Sequence, residues 1–107
     1  MPKPSRWEMT EFLSRINEIL WRYWDPIGVY KDPMPSDFDE YSSYAGVILK
    51  LLYEYEIRRD RLEDYLMDSI RGHMSLTGPD EFYFEKNRET LDRIYTAWDE
   101  FKKEHYL

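Results

Sequence analysis

The chain has no cysteine and only four glycines in its 107 residues. Without cysteine there is neither a disulfide framework nor a thiolate metal site, which suits a reducing cytosol. The few glycines form no run of the kind that holds phosphate groups. The chain also lacks an apolar run near the roughly 18 residues of a membrane span, and it has no signal-peptide pattern. We therefore expect a cytoplasmic protein without a membrane partner.

Catalytic and metal-binding signatures are missing as well. His73 and His105 stand in no metal-ligand spacing, and the serines lack a nucleophile-elbow context. We expect His73, near a helix end, to cap that helix or to lie in the core. Asp37 and Asp39 carry the oxygen ligands that a hard cation prefers, but the glycine and glutamate of a calcium loop are absent. The sequence predicts no enzyme activity, no cofactor and no metal.

Acidic and aromatic residues are abundant instead. The chain has 22 acidic and 15 basic side chains, for a net charge of -7, and 18% of its residues are aromatic. The negative charge disfavours nucleic acid and suits a partner with a basic surface, although it also serves solubility. Four tryptophans and ten tyrosines exceed what one small core needs. We expect some of these rings at an interface, where tyrosine and tryptophan are favoured.

Apolar residues recur at spacings of three and four along most of the chain, which is typical of amphipathic helices. The length indicates one domain over residues 1–107. The fold class is predicted to be all-α, a compact bundle of about four helices with a structured proline-rich loop between the first two. The predicted helices cover residues 5–24, 37–57, 58–74 and 79–105.

Several side chains stand out on these predicted helices. Trp21 falls on the polar side of the first helix, where either the loop covers it or a partner contacts it. Gly46 weakens the second helix by about 1 kcal/mol relative to alanine, and we expect it to permit close helix packing. Tyr55 belongs to the inward face of that helix. Asn87 lies on the inward face of the last helix and needs a hydrogen-bond partner, which we expect in the turn over residues 25–30.

One stretch, Trp24-Asp25-Pro26-Ile27-Gly28, has an order specified residue by residue. Pro26 lacks an N–H group, so the first helix must end near Trp24 or Asp25. The Asp25 carboxylate is placed to accept a backbone N–H, and Gly28 supplies a conformation that other residues resist.

Farther along, Ser36 or Asp37 is placed to cap the second helix. Two interpretations stay open for the segment over residues 25–40. It is either a small acidic site of Asp25, Asp37, Asp39 and Glu40, or a pair of helix caps around a buried turn.

The stretch from Trp24 to Gly28, followed by Asp39-Glu40-Tyr41, resembles a group of small bacterial domains of unknown function. These domains carry a W-D-P-I-G stretch and then D-E-Y before an apolar helix. The resemblance implies a compact helical fold and brings no established activity. In composition alone, the chain is also similar to bacterial immunity proteins against nuclease toxins, which are small, acidic and helical.

These observations predict a small acidic protein-binding module, of the immunity or inhibitor type, that blocks a basic partner such as a nuclease toxin. Because the helical pattern turns Tyr41 and Tyr44 inward, at least one of them can be a core residue instead. Two alternatives stay open: a structural homodimer or larger homo-oligomer, and a carboxylate site for a metal or small ligand at residues 25–40. The candidate partner-binding residues are Trp21, Asp37, Asp39, Glu40, Tyr41, Tyr44, Tyr53 and Glu54.

Overall fold

The computed structural model describes residues 4–28 and 40–105, which form four α-helices and no strand. This confirms the all-α bundle that the sequence predicts. Within the described ranges, none of the helices combines the length and the apolar character needed to cross a membrane. The helices are α1 (Arg6–Ile19), α2 (Ser42–Tyr55), α3 (Arg59–Asp68) and α4 (Asp80–His105).

Two of these helices continue into a wider final turn of the π type. The first π-turn, Leu20–Trp24, extends α1, and the second π-turn, Ser69–His73, extends α3. Each is closed by a backbone hydrogen bond between residues five positions apart, whereas an α-helical hydrogen bond joins residues four positions apart. The N–H of Asp25 donates to the carbonyl of Leu20 and the N–H of Met74 to that of Ser69, both at 2.9 Å.

The start of α1 follows the sequence closely. The Ser5 hydroxyl accepts from the N–H of Glu8 at 3.1 Å, and the Glu8 carboxylate accepts from the N–H of Ser5 at 2.9 Å. This reciprocal capping box satisfies two backbone donors that the first turn leaves without partners. The two Ser5 hydrogen bonds lower the pKa of Glu8 below its ordinary value of 4.5.

The start of α2 differs from the prediction. Glu40 and Tyr41 form a turn, and α2 begins at Ser42, so the predicted start at residue 37 is wrong. The expected caps at Ser36 and Asp37 lie outside the described residues.

Side-chain contacts join the helices, and α1 and α4 run antiparallel, because Glu8 meets His105 while Trp24 meets Asn87. Phe12 of α1 stacks on Phe101 of α4, with ring centroids 4.5 Å apart. Arg59 of α3 forms a 2.6 Å ion pair with Asp92 of α4. Between them lie aliphatic side chains that are fully buried, each worth about 1.5–3 kcal/mol relative to an exposed position. These are Ile16, Leu20, Ile48, Leu52, Leu62, Leu66, Ile70, Leu91 and Ile94.

Two predictions about single residues are wrong, and for a third residue one of its two alternatives is excluded. A Cβ placed on Gly46 would meet no described atom within 4 Å, so this glycine does not serve close packing against the described helices. Tyr55 was expected to face inward but is 66% exposed, because it is the last residue of α2 and the chain reverses at Glu56. His73 is exposed at the end of the second π-turn, so it is not a core residue.

Candidate functional site

Trp24 occupies the junction of three helices. Its indole Nε1 donates a 3.0 Å hydrogen bond to Oδ1 of Asn87 in α4, and both side chains are fully buried. Its ring packs edge-on against the rings of Tyr41 and Tyr44, each with a centroid distance of 5.4 Å. Trp24 therefore ties the end of α1 both to α4 and to the start of α2.

Asp25 and Tyr41 form a second buried link at the same junction. The Tyr41 hydroxyl donates to Oδ1 of Asp25 at 2.7 Å, and Asp25 is only 9% exposed. Burial raises the pKa of Tyr41 well above its ordinary value of 10, and the hydrogen bond to Asp25 raises it further. A phenol that donates to a carboxylate is disfavoured from ionising, because its anion would face that negative charge.

The turn after α1 begins at the buried Asp25 and Pro26 and ends at the exposed Ile27 and Gly28. Gly28 has φ of 73°, the left-handed conformation expected for it, and its N–H donates to the Asp25 carbonyl at 3.2 Å. Asp25 itself adopts φ of 29°, which is unusual for a residue with a side chain. The Asp25 carboxylate thus serves the packing of Tyr41, which supports the buried-turn interpretation of this residue.

Asn87 lies on the inward face of α4, as predicted, but its partner is different. Instead of bonding a loop carbonyl, its oxygen accepts the indole N–H of Trp24. Within residues 4–28 and 40–105, Nδ2 of Asn87 and Oγ1 of Thr90 have no hydrogen-bond partner, although both side chains are fully buried. A polar atom left in that state destabilises the fold.

The structure separates the predicted partner-binding residues. Trp21 is fully buried, so its assignment as a partner contact is wrong. The alternative, in which other parts of the chain cover the ring, is correct. Tyr41 is also fully buried, because it belongs to the Asp25 link. Asp37 and Asp39 lie outside the described residues. The remaining four lie on α2 or just before it: Glu40 and Glu54 are exposed, while Tyr44 and Tyr53 are half-buried.

Tyr44 and Tyr53 do not share a surface. They are nine residues apart, about two and a half helical turns, so they lie on opposite flanks of α2. The flank of Tyr44 also holds Val47, Leu51 and Tyr55, at spacings of three and four. We call these four residues the α2 stripe.

Val47 is 42% exposed and Tyr55 is 66% exposed, whereas the other two stripe residues are half-buried. Sequence reasoning missed Val47 and Tyr55 as surface residues. Their spacing relative to Tyr44 was visible, but periodicity along α2 does not show which flank of the helix another helix covers.

The α2 stripe borders α3. The Tyr44 ring lies 6.3 Å from the ring of His73, and burial raises the pKa of Tyr65, with a smaller contribution from nearby Tyr44. Between residues 40 and 68, several exposed or half-buried carboxylates form no ion pair with any described residue. Among the basic residues of this range, Lys50 and Arg61 also form none. These carboxylates are Glu40, Glu54, Glu56, Glu63, Asp64 and Asp68.

We define the α2–α3 surface as the α2 stripe together with Glu54, Glu56, Asp64 and Asp68. Asp64 adjoins Tyr65 in sequence, and Asp68 lies one helical turn beyond it. The surface therefore combines an aromatic and aliphatic strip on α2 with carboxylates of α3 and of the end of α2, two of which are the chain neighbours of Tyr55.

A groove of about 590 Å³ lies where the first turns of α1 meet the last turns of α4. Trp7, 68% exposed, lines it together with Phe12 and Phe101. Glu11 and Glu104 also line it, and neither has an ion-pair partner among the described residues. We call this the Trp7 groove.

A larger groove of about 700 Å³ lies farther along α1 and α4 and has a different charge arrangement. Its carboxylates are each paired with an arginine of the chain, as in the Arg15–Glu100 and Arg93–Glu89 pairs at 3.0 and 3.2 Å. Its charges are satisfied internally.

The described residues contain no group of three acidic or histidine side chains placed to hold a metal ion. No protein-family model matches the chain, and neither a curated protein nor a solved structure is similar to it. The resemblance of the stretch from Trp24 to Gly28 to small bacterial domains stays a prediction.

Proposed function

We propose that the chain is a small cytoplasmic protein-binding module, of the immunity or inhibitor type, that acts by binding rather than by catalysis. Its partner would be a protein with a basic surface, such as a nuclease toxin, held on the α2–α3 surface. The observation that supports this most is Tyr55, which is 66% exposed and stands in the chain between Glu54 and Glu56. Both carboxylates are exposed, and neither has an ion-pair partner among the described residues.

The chemistry of this surface suits such a partner. Tyrosine is enriched among the few interface residues that carry most of the binding energy, because its ring is large, rigid and able to hydrogen-bond. The surrounding carboxylates attract a basic protein and speed its association, and they contribute less at high ionic strength. Tyr55 is the expected anchor, and the acids select the partner.

The position of Tyr55 is fixed by the chain beyond it. The N–H of Ile57 donates to the Leu51 carbonyl at 3.2 Å, and the Tyr95 hydroxyl of α4 donates to the Ile57 carbonyl at 2.7 Å. The end of α2 is therefore tied to α4. A surface held in one conformation loses less entropy on binding than a flexible one does.

The Trp24 junction has a supporting role in this proposal. Its tryptophan and carboxylate are occupied by Asn87 and Tyr41, so they hold the start of α2 rather than contact a partner.

The test begins with affinity capture from the native host and identification of the captured protein. The purified partner is then titrated against the wild type, Tyr55→Ala and the double variant Glu54→Gln/Glu56→Gln. We expect a basic partner, a Kd about tenfold or more weaker for Tyr55→Ala, and a salt-dependent loss for the double variant. Co-expression should suppress the activity of the partner.

Glu85→Gln serves as the control, because Glu85 is an exposed carboxylate of α4 and its loss changes net charge without touching the α2–α3 surface. An acidic partner, or a basic partner whose Kd is unchanged by Tyr55→Ala, would contradict the proposal. Light scattering on the isolated protein separates this function from self-association. A stable homodimer that Tyr55→Ala dissociates would also contradict it.

A further inference from the structure

Some aromatic rings of this protein have one of its own cations above them. Five aromatic rings in the described ranges carry an arginine or lysine of the same chain, with the cationic group 4.6–5.8 Å from the ring centroid. The rings are those of Trp21, Tyr23, Phe82, Tyr83 and Trp98. A cation at that distance is attracted by the negative face of the ring.

Trp7 has no such cation among the described residues. It is the most exposed large hydrophobic side chain in the described residues, and among them it has neither a ring contact nor a cation above it. Tryptophan is the aromatic side chain that attracts cations most strongly. An indole face open to water in the wall of a groove is therefore a place for a cation from outside the chain.

The charges around Trp7 favour the same occupant. Glu11 lies four residues after Trp7, on the same face of α1, and Glu104 approaches from α4 across the groove. The other charged groups of the groove are already satisfied: Arg15 pairs with Glu100 at 3.0 Å, and Glu8 bonds Ser5 and His105. The two unpaired carboxylates leave the groove negative.

We propose that the Trp7 groove is a second binding site, and that it takes an arginine side chain presented by a basic peptide segment of another protein. The planar guanidinium stacks on the Trp7 ring, and its N–H groups donate to the carboxylates of Glu11 and Glu104. Arginine suits the site better than lysine, because it combines ring stacking with a fork of donors that fits carboxylates. The groove volume of about 590 Å³ admits such a side chain with its neighbouring backbone.

This site is separate from the α2–α3 surface and does not depend on it. Tyr55 lies on α2, whereas α1 and α4 alone form the groove. It can therefore be tested without a natural partner.

The probe is the capped peptide Gly-Gly-Arg-Gly-Gly, with a citrulline peptide as its neutral counterpart of the same shape. Binding is followed by NMR through the indole N–H signals, because Trp7 is exposed and Trp21, Trp24 and Trp98 are buried. We expect the arginine peptide to shift the Trp7 signal in a saturable way, with millimolar affinity. The citrulline peptide should give no saturable shift.

The variants Trp7→Leu and Glu11→Gln/Glu104→Gln test the site directly. We expect the first to abolish saturable binding, detected through backbone amides of the groove, and the second to weaken it at least about fivefold. Glu89→Gln, in the larger groove, should bind as the wild type does. Trp7→Leu should keep the helical circular dichroism spectrum, because the side chain is exposed.

Three outcomes would overturn this proposal. The first is equal binding of the arginine and citrulline peptides. The second is unchanged affinity in Trp7→Leu, and the third is saturable binding of spermidine without binding of the arginine peptide, which would assign the groove to free polyamines. If the arginine peptide binds the Trp7 groove but no partner binding depends on Tyr55, only the function proposed for the α2–α3 surface is contradicted.

Discussion

Trp24 and Asn87 lie 63 positions apart in the chain and share a buried hydrogen bond of 3.0 Å. The bond joins the end of α1 to the first third of α4. Because both groups are inaccessible to water, neither can replace its partner with solvent once the helices are packed. The bond is therefore expected to contribute to stability and to fix how these two helices meet.

Trp24→Phe tests this bond. The phenyl ring keeps an aromatic group in place but removes the indole donor and leaves space. We expect the free energy of unfolding to fall by about 2–4 kcal/mol, from the unsatisfied Asn87 oxygen and the lost packing. Urea unfolding followed by circular dichroism measures the change. Trp7→Phe is the control and should change stability by less than about 0.5 kcal/mol; equal losses in the two variants would contradict the assignment.

Alkaline pH should destabilise the protein through its buried tyrosines. Burial raises the pKa of Tyr41 and raises that of Tyr95 to about 12. In the unfolded chain both ionise near pH 10, so above that pH the unfolded state loses protons that the folded state keeps. This stabilisation is therefore complete below about pH 10 and is lost as the pH rises further.

Urea unfolding at a series of pH values from neutral to strongly alkaline checks this expectation. A fully buried group such as Tyr41 contributes a slope of up to about 1.4 kcal/mol per pH unit. Tyr41→Phe should flatten the decline above pH 10, although it lowers stability at neutral pH by removing the hydrogen bond from Tyr41 to Asp25. A decline that is the same in the wild type and in Tyr41→Phe would show that Tyr41 is not its source.

Thr90→Val should stabilise the protein. The Thr90 hydroxyl is fully buried and has no hydrogen-bond partner among the described residues. Valine has nearly the same shape without the polar atom, so we expect a gain of about 1 kcal/mol in the free energy of unfolding. Thr10→Val is the matched control, because Thr10 is exposed and its hydroxyl donates to the Arg6 carbonyl at 2.9 Å. A loss in Thr90→Val would indicate that the hydroxyl is bonded in solution.

Two glycine substitutions should have opposite effects. Gly46 is exposed within α2 with open space around its Cα, so Gly46→Ala should stabilise the protein by about 0.5–1 kcal/mol. Gly28 also has open space but adopts φ of 73°, so Gly28→Ala should destabilise it by about 1 kcal/mol or more. Thermal unfolding of both variants measures the difference. Effects of the same sign would contradict the backbone conformation at one of these positions.

The sequence predicted the helices well because their packing is carried by regular apolar spacing. The spans of α1 and α4 and the inward position of Asn87 follow from patterns within one helix. The start of α2 and the exposure of Tyr55 do not. A helix end is decided by competing turns and by whether another element lies over it, and periodicity along one helix carries no information about either.

The site was harder to predict for the same reason. Asp25 and Tyr41 were singled out as acid and aromatic groups, but their hydrogen bond depends on how two helices meet. Trp21 lies on the polar side of its helix by spacing, yet it is fully buried. The Trp7 groove combines residues from opposite ends of the chain, which no local pattern brings together.

The two π-turns carry a consequence for how this fold tolerates changes in length. A helix that ends in such a turn holds one more residue than the α-helical path between the same two points needs. Removing a single residue from Leu20–Trp24 or Ser69–His73 can therefore be absorbed by tightening to an ordinary α-turn, whereas a deletion in the middle of α4 would rotate half of its buried face toward water. Shortened versions of this chain that still fold should have their gaps at these two places.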